Sequence, residues 1–255
     1  MEIIELTSFQ LAEVGTLNQQ RHWLRGGFPL PYLAENEKDS LIWRKNFVTS
    51  FLERDLPSFG VGVAPIAMHR FWSMLAHYHG QTWNASEIAG SMDVAAVTAK
   101  RYLDILSATF MIRQLQPWYE NVGKRQVKAP KIYFRDSGIF HSMLGIRTEA
   151  DLLTHPKLGA SWEGYAVEET IRHYQPDQTF FRGTHSGAEL DLLLFKDGRR
   201  IGIECKRQDA PKITASMRIA LKGLKLDELR VIYPGSKSYP LPEGIRVEPL
   251  TSLAG

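Results

Sequence analysis

The stretch Ala188–Lys206, AELDLLLFKDGRRIGIECK, sets acidic residues and a lysine in an alternating pattern around a turn. Asp197-Gly198 is a strong two-residue hairpin signal, because both positions tolerate the positive φ that the favoured turn requires. Folding the strands about it sets Lys196 opposite Arg199, Asp191 opposite Glu204 and Glu189 opposite Lys206. Side chains alternate along a strand, so Glu189, Asp191, Glu204 and Lys206 share one face. Directly opposed residues lie about 4.5–5.5 Å apart at Cβ, where like charges repel. The neighbours Leu190, Leu192, Leu193, Leu194, Ile201 and Ile203 are apolar and expected to be buried. The carboxylate pair therefore needs a compensating cation. Lys206 supplies one positive charge, and a hard divalent ion such as Mg²⁺ suits carboxylate and water oxygens. The chemistry that fits is phosphodiester hydrolysis: the ion lends Lewis acidity to a phosphate oxygen and the leaving group, while Lys206 orients or activates a water. Glu163 or Glu168, on the preceding helix, could complete the acidic cluster. Cys205 points to the other face and reads as a small core residue, not a nucleophile.

Those residues sit in a chain of 255 with 44% hydrophobic and 23% charged residues, an ordinary globular composition long enough for one large domain or two small ones. No apolar run approaches the roughly 18 residues of a membrane span, so no membrane partner is expected. Met1–Gln10 lacks a basic segment followed by an apolar one, so it does not read as a signal peptide. Cys205 is the single cysteine, which excludes an internal disulfide and fits a reducing cytoplasm. A net charge of +3 is too mild to argue for a polyanionic partner by itself, so that case rests on where the charge sits.

Three regions position the acidic hairpin. Residues 1–57 read as a short strand, Glu2–Leu6, followed by helices. Trp23, Leu24, Phe28 and Tyr32 surround the break at Gly26-Gly27. A helix near Asp39–Asp55 carries Leu41, Ile42, Phe47, Val48, Phe51 and Leu52 at helical spacing, with Pro57 expected to end it. Residues 58–150 read as helices at Ile66–His79 and about Ala95–Thr109, with a short one between them. Strands Met111–Leu115 and Lys131–Phe134 follow, joined by a basic loop. Residues 151–255 alternate: a helix over Ser161–Tyr174, strands at 179–182, 188–195 and 201–206, a helix near 212–223, and strands at Leu229–Tyr233 and Ile245–Pro249. The fold class is α/β of the α+β kind, with a mixed sheet and flanking helices. His77 and His79 are not a metal pair, since residues two apart on a helix do not face each other.

Two resemblances refine the reading. Asp191, a gap of a dozen residues, then Glu204-Cys205-Lys206 resembles the D…(D/E)-x-K signature of the PD-(D/E)XK phosphodiesterases. It implies a restriction-endonuclease-like sheet, with Asp191, Glu204 and Lys206 catalytic and Glu163, Asp191 and Glu204 around the metal. Trp83–Thr109 resembles a winged helix-turn-helix. Its nucleic-acid-facing candidates are Thr98, Lys100 and Arg101, with Lys124, Arg125, Lys128 and Lys131 on the wing for phosphates.

The motifs LTSFQLAEVG (Leu6–Gly15), WLRGGFP (Trp23–Pro29), FLERDLP (Phe51–Pro57), PKIYFRDSGIFHSMLGI (Pro130–Ile146) and IECK (Ile203–Lys206) together resemble one family. It is the region after the nucleotide-binding core in predicted prokaryotic AAA+-type ATPases. The resemblance implies a lid-like segment, a winged helix and a nuclease-like domain of unknown function. The chain contains no G-x-x-x-x-G-K-[ST] phosphate loop, so no ATP site is expected in it, and Arg25, Arg54 and Asp55 read as surface ion pairs and caps. The expected function is a cytoplasmic, nucleic-acid-associated protein, DNA more than RNA, with a Mg²⁺-dependent nuclease-like domain. The alternatives are a non-catalytic DNA- or protein-binding module, or a chain that completes a separate ATPase subunit in trans.

Overall fold

A computed structural model of the protein describes residues 7–119, 129–183 and 189–254. The expected strand Glu2–Leu6 and the loop cations Lys124, Arg125 and Lys128 lie outside the described residues. The architecture is mixed α/β of the α+β kind, divided into two compact units. One takes the described parts of Met1–His77, Ala85–Met111 and Phe134–Leu158, and the other those of Tyr78–Asn84, Ile112–Tyr133 and Gly159–Gly255.

The first unit is helical. Its elements are α1 (Leu11–Val14), α2 (Gln19–Arg25), α3 (Pro29–Leu33), α4 (Glu37–Ser50), α5 (Leu56–Ser58), α6 (Pro65–His77), α7 (Ala85–Met92), α8 (Ala96–Ala108), α9 (Ser137–Met143) and α10 (Glu149–Thr154). Helices α6, α7 and α8 pack on one another. The Asn36 side chain caps α4 by accepting from the Asp39 amide at 2.9 Å. The helical run ends at Ser58, one residue past Pro57, close to where Pro57 was expected to end it. The chain passes through a π-helical turn, Phe51–Asp55, into α5, which carries Pro57 and stops one residue later.

Two sequence motifs meet in this unit. Gly26 ends α2 with φ at +77°, and a Cβ there would lie 2.2 Å from Asp136 Oδ1. The Asp136 carboxylate accepts from the Gly27 amide and caps α9 at the Ile139 amide, both at 2.8 Å. A Cβ on Gly138 would lie 1.9 Å from the Arg25 carbonyl, so the two backbones touch because both motifs carry glycine. Arg44, fully buried, donates to the carbonyls of Ser40, Leu24 and Gly138 at 3.2, 3.3 and 3.1 Å. Arg25 pairs with Glu37 at 2.8 Å and donates to the carbonyls of Tyr32 and Ala34.

The second unit holds both sheets. The smaller, in order β1 (Gln81–Thr82), β3 (Lys131–Phe134), β2 (Ile112–Leu115), has three strands. The larger has six, in order β4-β5-β6-β7-β9-β8: β4 (Gln178–Gly183), β5 (Glu189–Lys196), β6 (Arg199–Cys205), β7 (Glu228–Tyr233), β8 (Tyr239–Pro240) and β9 (Arg246–Pro249). Helix α11 (Leu158–Tyr174) precedes β4, and α12 (Ala215–Gly223) links β6 to β7. Strands β4, β5 and β6 are antiparallel, and β6, β7 and β9 are parallel. The run Leu190–Leu194 is buried on both faces, Asp191 included, as its four leucines require. Met217 and Ala220 of α12 close one face over Leu190, Leu193, Leu229 and Val231.

The hairpin turn is as expected: Asp197 and Gly198 have φ of 50° and 75°. Paired register runs from Lys196↔Arg199 to Leu192↔Ile203. Asp191 and Glu204 stand one step beyond, where the β4–β5 pairing shifts register between Phe180 and Arg182.

His141 gives this fold an acid-sensitive point. Its Nδ1–H donates to the Leu24 carbonyl at 2.9 Å, and burial pushes its pKa down to about 3. A folded-state pKa below the unfolded value of about 6.5 means that the unfolded chain gains a proton first as pH falls. Stability associated with His141 is therefore complete above pH 6.5 and declines toward pH 3, by up to about 1.4 kcal/mol per pH unit. Denaturant unfolding between pH 7 and 4 is expected to show this decline in the wild type relative to His141→Asn, which keeps a donor but does not titrate. An identical pH dependence in both proteins contradicts it.

Candidate functional site

The acidic residues of the hairpin converge in the second unit, and a lysine that the sequence reading set elsewhere lies among them. Lys131 opens β3 and is 4% exposed. Its ammonium group contacts Glu189, pairs with Glu163 Oε1 at 3.0 Å and reaches Asp191 Oδ1 at 3.9 Å. Lys206 serves the other end of the cluster, 2.7 Å from Glu204 Oε2 and 3.8 Å from Asp191 Oδ2. Four carboxylates thus share two ammonium groups. The expected pairing of Glu189 with Lys206 is replaced by Glu189 with Lys131.

Each carboxylate is held differently. Asp191 Oδ2 accepts from the Cys205 amide at 2.8 Å, which ties its side chain to β6. Glu163, on α11, accepts from the Tyr133 hydroxyl at 2.6 Å as well as from Lys131. Lys131 and Tyr133 alternate on β3, so one strand face delivers both. Gly80 stands beside Glu163, with space for a Cβ 3.7 Å from its Oε1. Glu204 is 2% exposed, and its Oε1 has no hydrogen-bond partner. Glu168 takes no part: Arg113 clamps it through both carboxylate oxygens.

Electrostatics follow from burial. Desolvation, then the Asp191 charge, pushes Glu204 up to about 8, with Lys206 opposing. Burial and then Asp191 also raise Glu163. Burial disfavours the Lys131 charge, but Tyr133, Glu163, Asp191 and Glu189 outweigh it and hold that pKa well above the usual lysine value. Burial, reinforced by Asp191 and Glu163, raises the Cys205 thiol far above its ordinary value, so it is no thiolate at neutral pH.

Whether the residues suit a divalent ion depends on their oxygens. Among the described residues, no three His, Cys, Asp or Glu side chains converge to hold a metal ion by themselves. Glu163 offers no free place on Oε1, which Lys131 and Tyr133 share. Asp191 and Glu204 do suit a hard cation as a pair, with Glu204 Oε1 unsatisfied and the cluster carrying more negative than positive groups.

Of the nucleic-acid candidates, Thr98, Lys100 and Arg101 fall in the first unit. Lys100 and Arg101 are exposed on α8, and Thr98 is half-buried there. Lys131 is corrected: buried and ion-paired, it cannot contact a phosphate backbone. Its trace in the sequence is KIYF, a lysine opening an otherwise apolar strand, which does not by itself say which acids it meets.

Comparison with known proteins gives two family matches. Residues 17–150 match the Domain of unknown function (DUF8612), and residues 158–253 match the Domain of unknown function (DUF4143). Uncharacterized proteins of Mycobacterium bovis and Mycobacterium tuberculosis are each 45% identical over 253 residues, 99% of this chain. The chain spans 57% of the length of these curated relatives. No solved structure matches the chain.

The raised Glu204 pKa fixes a sign for stability. Its folded-state value of about 8 exceeds the model-peptide value of 4.5, so the folded protein keeps the proton longer. The stabilisation is complete below about pH 4.5 and is lost as pH rises toward 8, at up to about 1.4 kcal/mol per pH unit. Measured between pH 6 and 8 with chelator present, wild-type stability should fall relative to Glu204→Gln, which is permanently neutral. A difference that stays constant over that window refutes the assignment.

Proposed function

Because this chain belongs to the family described as Domain of unknown function (DUF8612), whose description assigns no activity, we propose a function from the site itself. The protein is nucleic-acid-associated, and the larger sheet carries a divalent-cation-dependent phosphodiesterase site of the PD-(D/E)XK kind. The observation that carries this reading is the buried Glu204, whose Oε1 lacks a partner beside Asp191 while the local ammonium groups are outnumbered by carboxylates. A buried carboxyl oxygen without a partner is costly, and a protein retains one where an ion or substrate completes it.

Asp191 and Glu204 would hold the ion, most simply Mg²⁺. When bound, such an ion supplies Lewis acidity toward a phosphate oxygen. Asp191 is preset for this role by the Cys205 amide, which fixes one oxygen. Lys206, about one-third exposed, stands between the carboxylates and solvent, where its ammonium group can orient a water. Lys131 and Tyr133 hold Glu163 in place and neutralise the inner side of the cluster. The exposed Lys100 and Arg101 of α8 suit contacts with the phosphates of a duplex. The sequence resemblance further supports association with an AAA+-type ATPase, as a part or a partner of one.

A second reading is favoured by Lys131 itself. Its ammonium among Glu163, Glu189 and Asp191 can satisfy most of the cluster without any ion, as a non-catalytic nucleic-acid- or partner-binding module would. Supercoiled plasmid nicking with Mg²⁺ or Mn²⁺ separates the two. The proposal expects nicking that Asp191→Ala and Lys206→Ala each reduce by about 100-fold or more, the scale of losing a group that acts in the reacting step, with helical content intact by circular dichroism. Nicking that survives both substitutions, or duplex binding with no nicking under either ion, overturns the nuclease assignment.

A further inference from the structure

The helical unit carries a cavity of about 580 Å³ that neither the acidic site nor the α8 cations use. Its size lies in the range that accepts one small organic molecule. The lining is almost wholly apolar and rich in phenylalanine. Phe47 and Phe51 form one wall, their rings stacked at 5.9 Å with planes 19° apart. Phe59 and Phe110 border the opening and are 67% and 57% exposed. Asp55 is the single charged side chain of the lining. Its Oδ1 takes the Arg54 guanidinium at 2.8 Å, and Arg54 itself is turned to solvent, 77% exposed. The Thr109 hydroxyl is committed to the Ile105 carbonyl at 2.8 Å, which leaves Asp55 as the principal polar feature.

Two backbone irregularities fall on this wall and mouth. Phe51–Asp55 is a π-helical turn, closed by the Leu56 amide on the Phe51 carbonyl. Single π turns inside helical runs recur at functional sites, because the widened turn pushes side chains out of α register. Here it turns Phe51 and Asp55 toward the same cavity. Phe110 has φ of 62° because it is the left-handed residue that caps the end of α8, its amide donating to the Ser107 carbonyl at 3.1 Å and the Met111 amide to the Leu106 carbonyl at 2.9 Å. The cap accounts for that backbone, but two phenylalanine rings exposed at one opening are unfavourable in water, and they are explained if the opening receives a ligand.

We propose that this cavity binds an aromatic small molecule that carries a hydrogen-bond donor or amine directed at Asp55. The flat rings of Phe47 and Phe51 suit offset or edge-on packing against another ring system. Asp55 accepts from a donor and repels a carboxylate, so acids are disfavoured. This binding is independent of the nuclease reading, since no residue of the acidic cluster lines the cavity.

The test uses the full chain and two probes, 1-naphthylmethylamine and 1-naphthoic acid, followed by fluorescence titration. The amine is expected to bind saturably, one per chain, and about 10-fold or more tighter than the acid. Asp55→Asn should bring the two affinities together. Ala108→Trp places an indole from an exposed lining position into the cavity and should weaken the amine by about 10-fold or more with an unchanged unfolding midpoint. If Ala108→Trp fails to fold, Phe59→Ala at the exposed mouth gives the same readout through a lost wall. No saturable binding, equal affinity for acid and amine, or full binding in the filled or opened variants overturns the proposal.

Discussion

Four carboxylates that converge beside a buried strand would repel one another and lose their water, a cost of several kcal/mol for each uncompensated ion. The structure answers with two ammonium groups from opposite sides, Lys131 within and Lys206 toward solvent. Much of the second unit serves this arrangement. The smaller sheet delivers Lys131 and Tyr133, α11 delivers Glu163, and the hairpin delivers Glu189, Asp191 and Glu204. The Asp191 carboxylate is further fixed by a backbone amide of the neighbouring strand. What remains unbalanced is Glu204, buried and with one oxygen unsatisfied, so the site is compensated only in part. That unsatisfied oxygen is what separates it from a fully paired structural network.

The parts of the site that follow from local rules were legible in the sequence. Asp197-Gly198 fixes the turn, and the turn fixes the register up to Leu192↔Ile203. The apolar flanks Leu190–Leu194, Ile201 and Ile203 are buried as their types require. Lys131 was not placed, because its contact with Glu189 joins strands 58 positions apart (189 less 131), and no local pattern spans that distance. Its neighbours pointed instead to the basic loop that precedes it. Glu168 could not be told from Glu163 by type; the Arg113 clamp decides, and it too is a long-range contact. The short helices α9 and α10 escaped notice because each is too brief to show a helical period, and their caps, Asp136 and Thr148, are the readable trace.

The helical unit shows the same division between local and distant causes. Gly26 and Gly138 are explained only when the two motifs meet, since each removes a Cβ that would collide with the other's segment. The π turn at Phe51–Asp55 has no sequence signature of its own, and the pattern of apolar positions read through it as plain helix.

The most direct measurement of the charge imbalance is a calorimetric titration of the full chain with Mn²⁺. The geometry predicts one ion per chain, abolished by Asp191→Asn and by Glu204→Gln, and bound more tightly in Lys131→Met, where a competing positive charge is gone. No heat of binding in the wild type, or uptake that is unchanged in both carboxylate variants, would contradict a cation site built on Asp191 and Glu204.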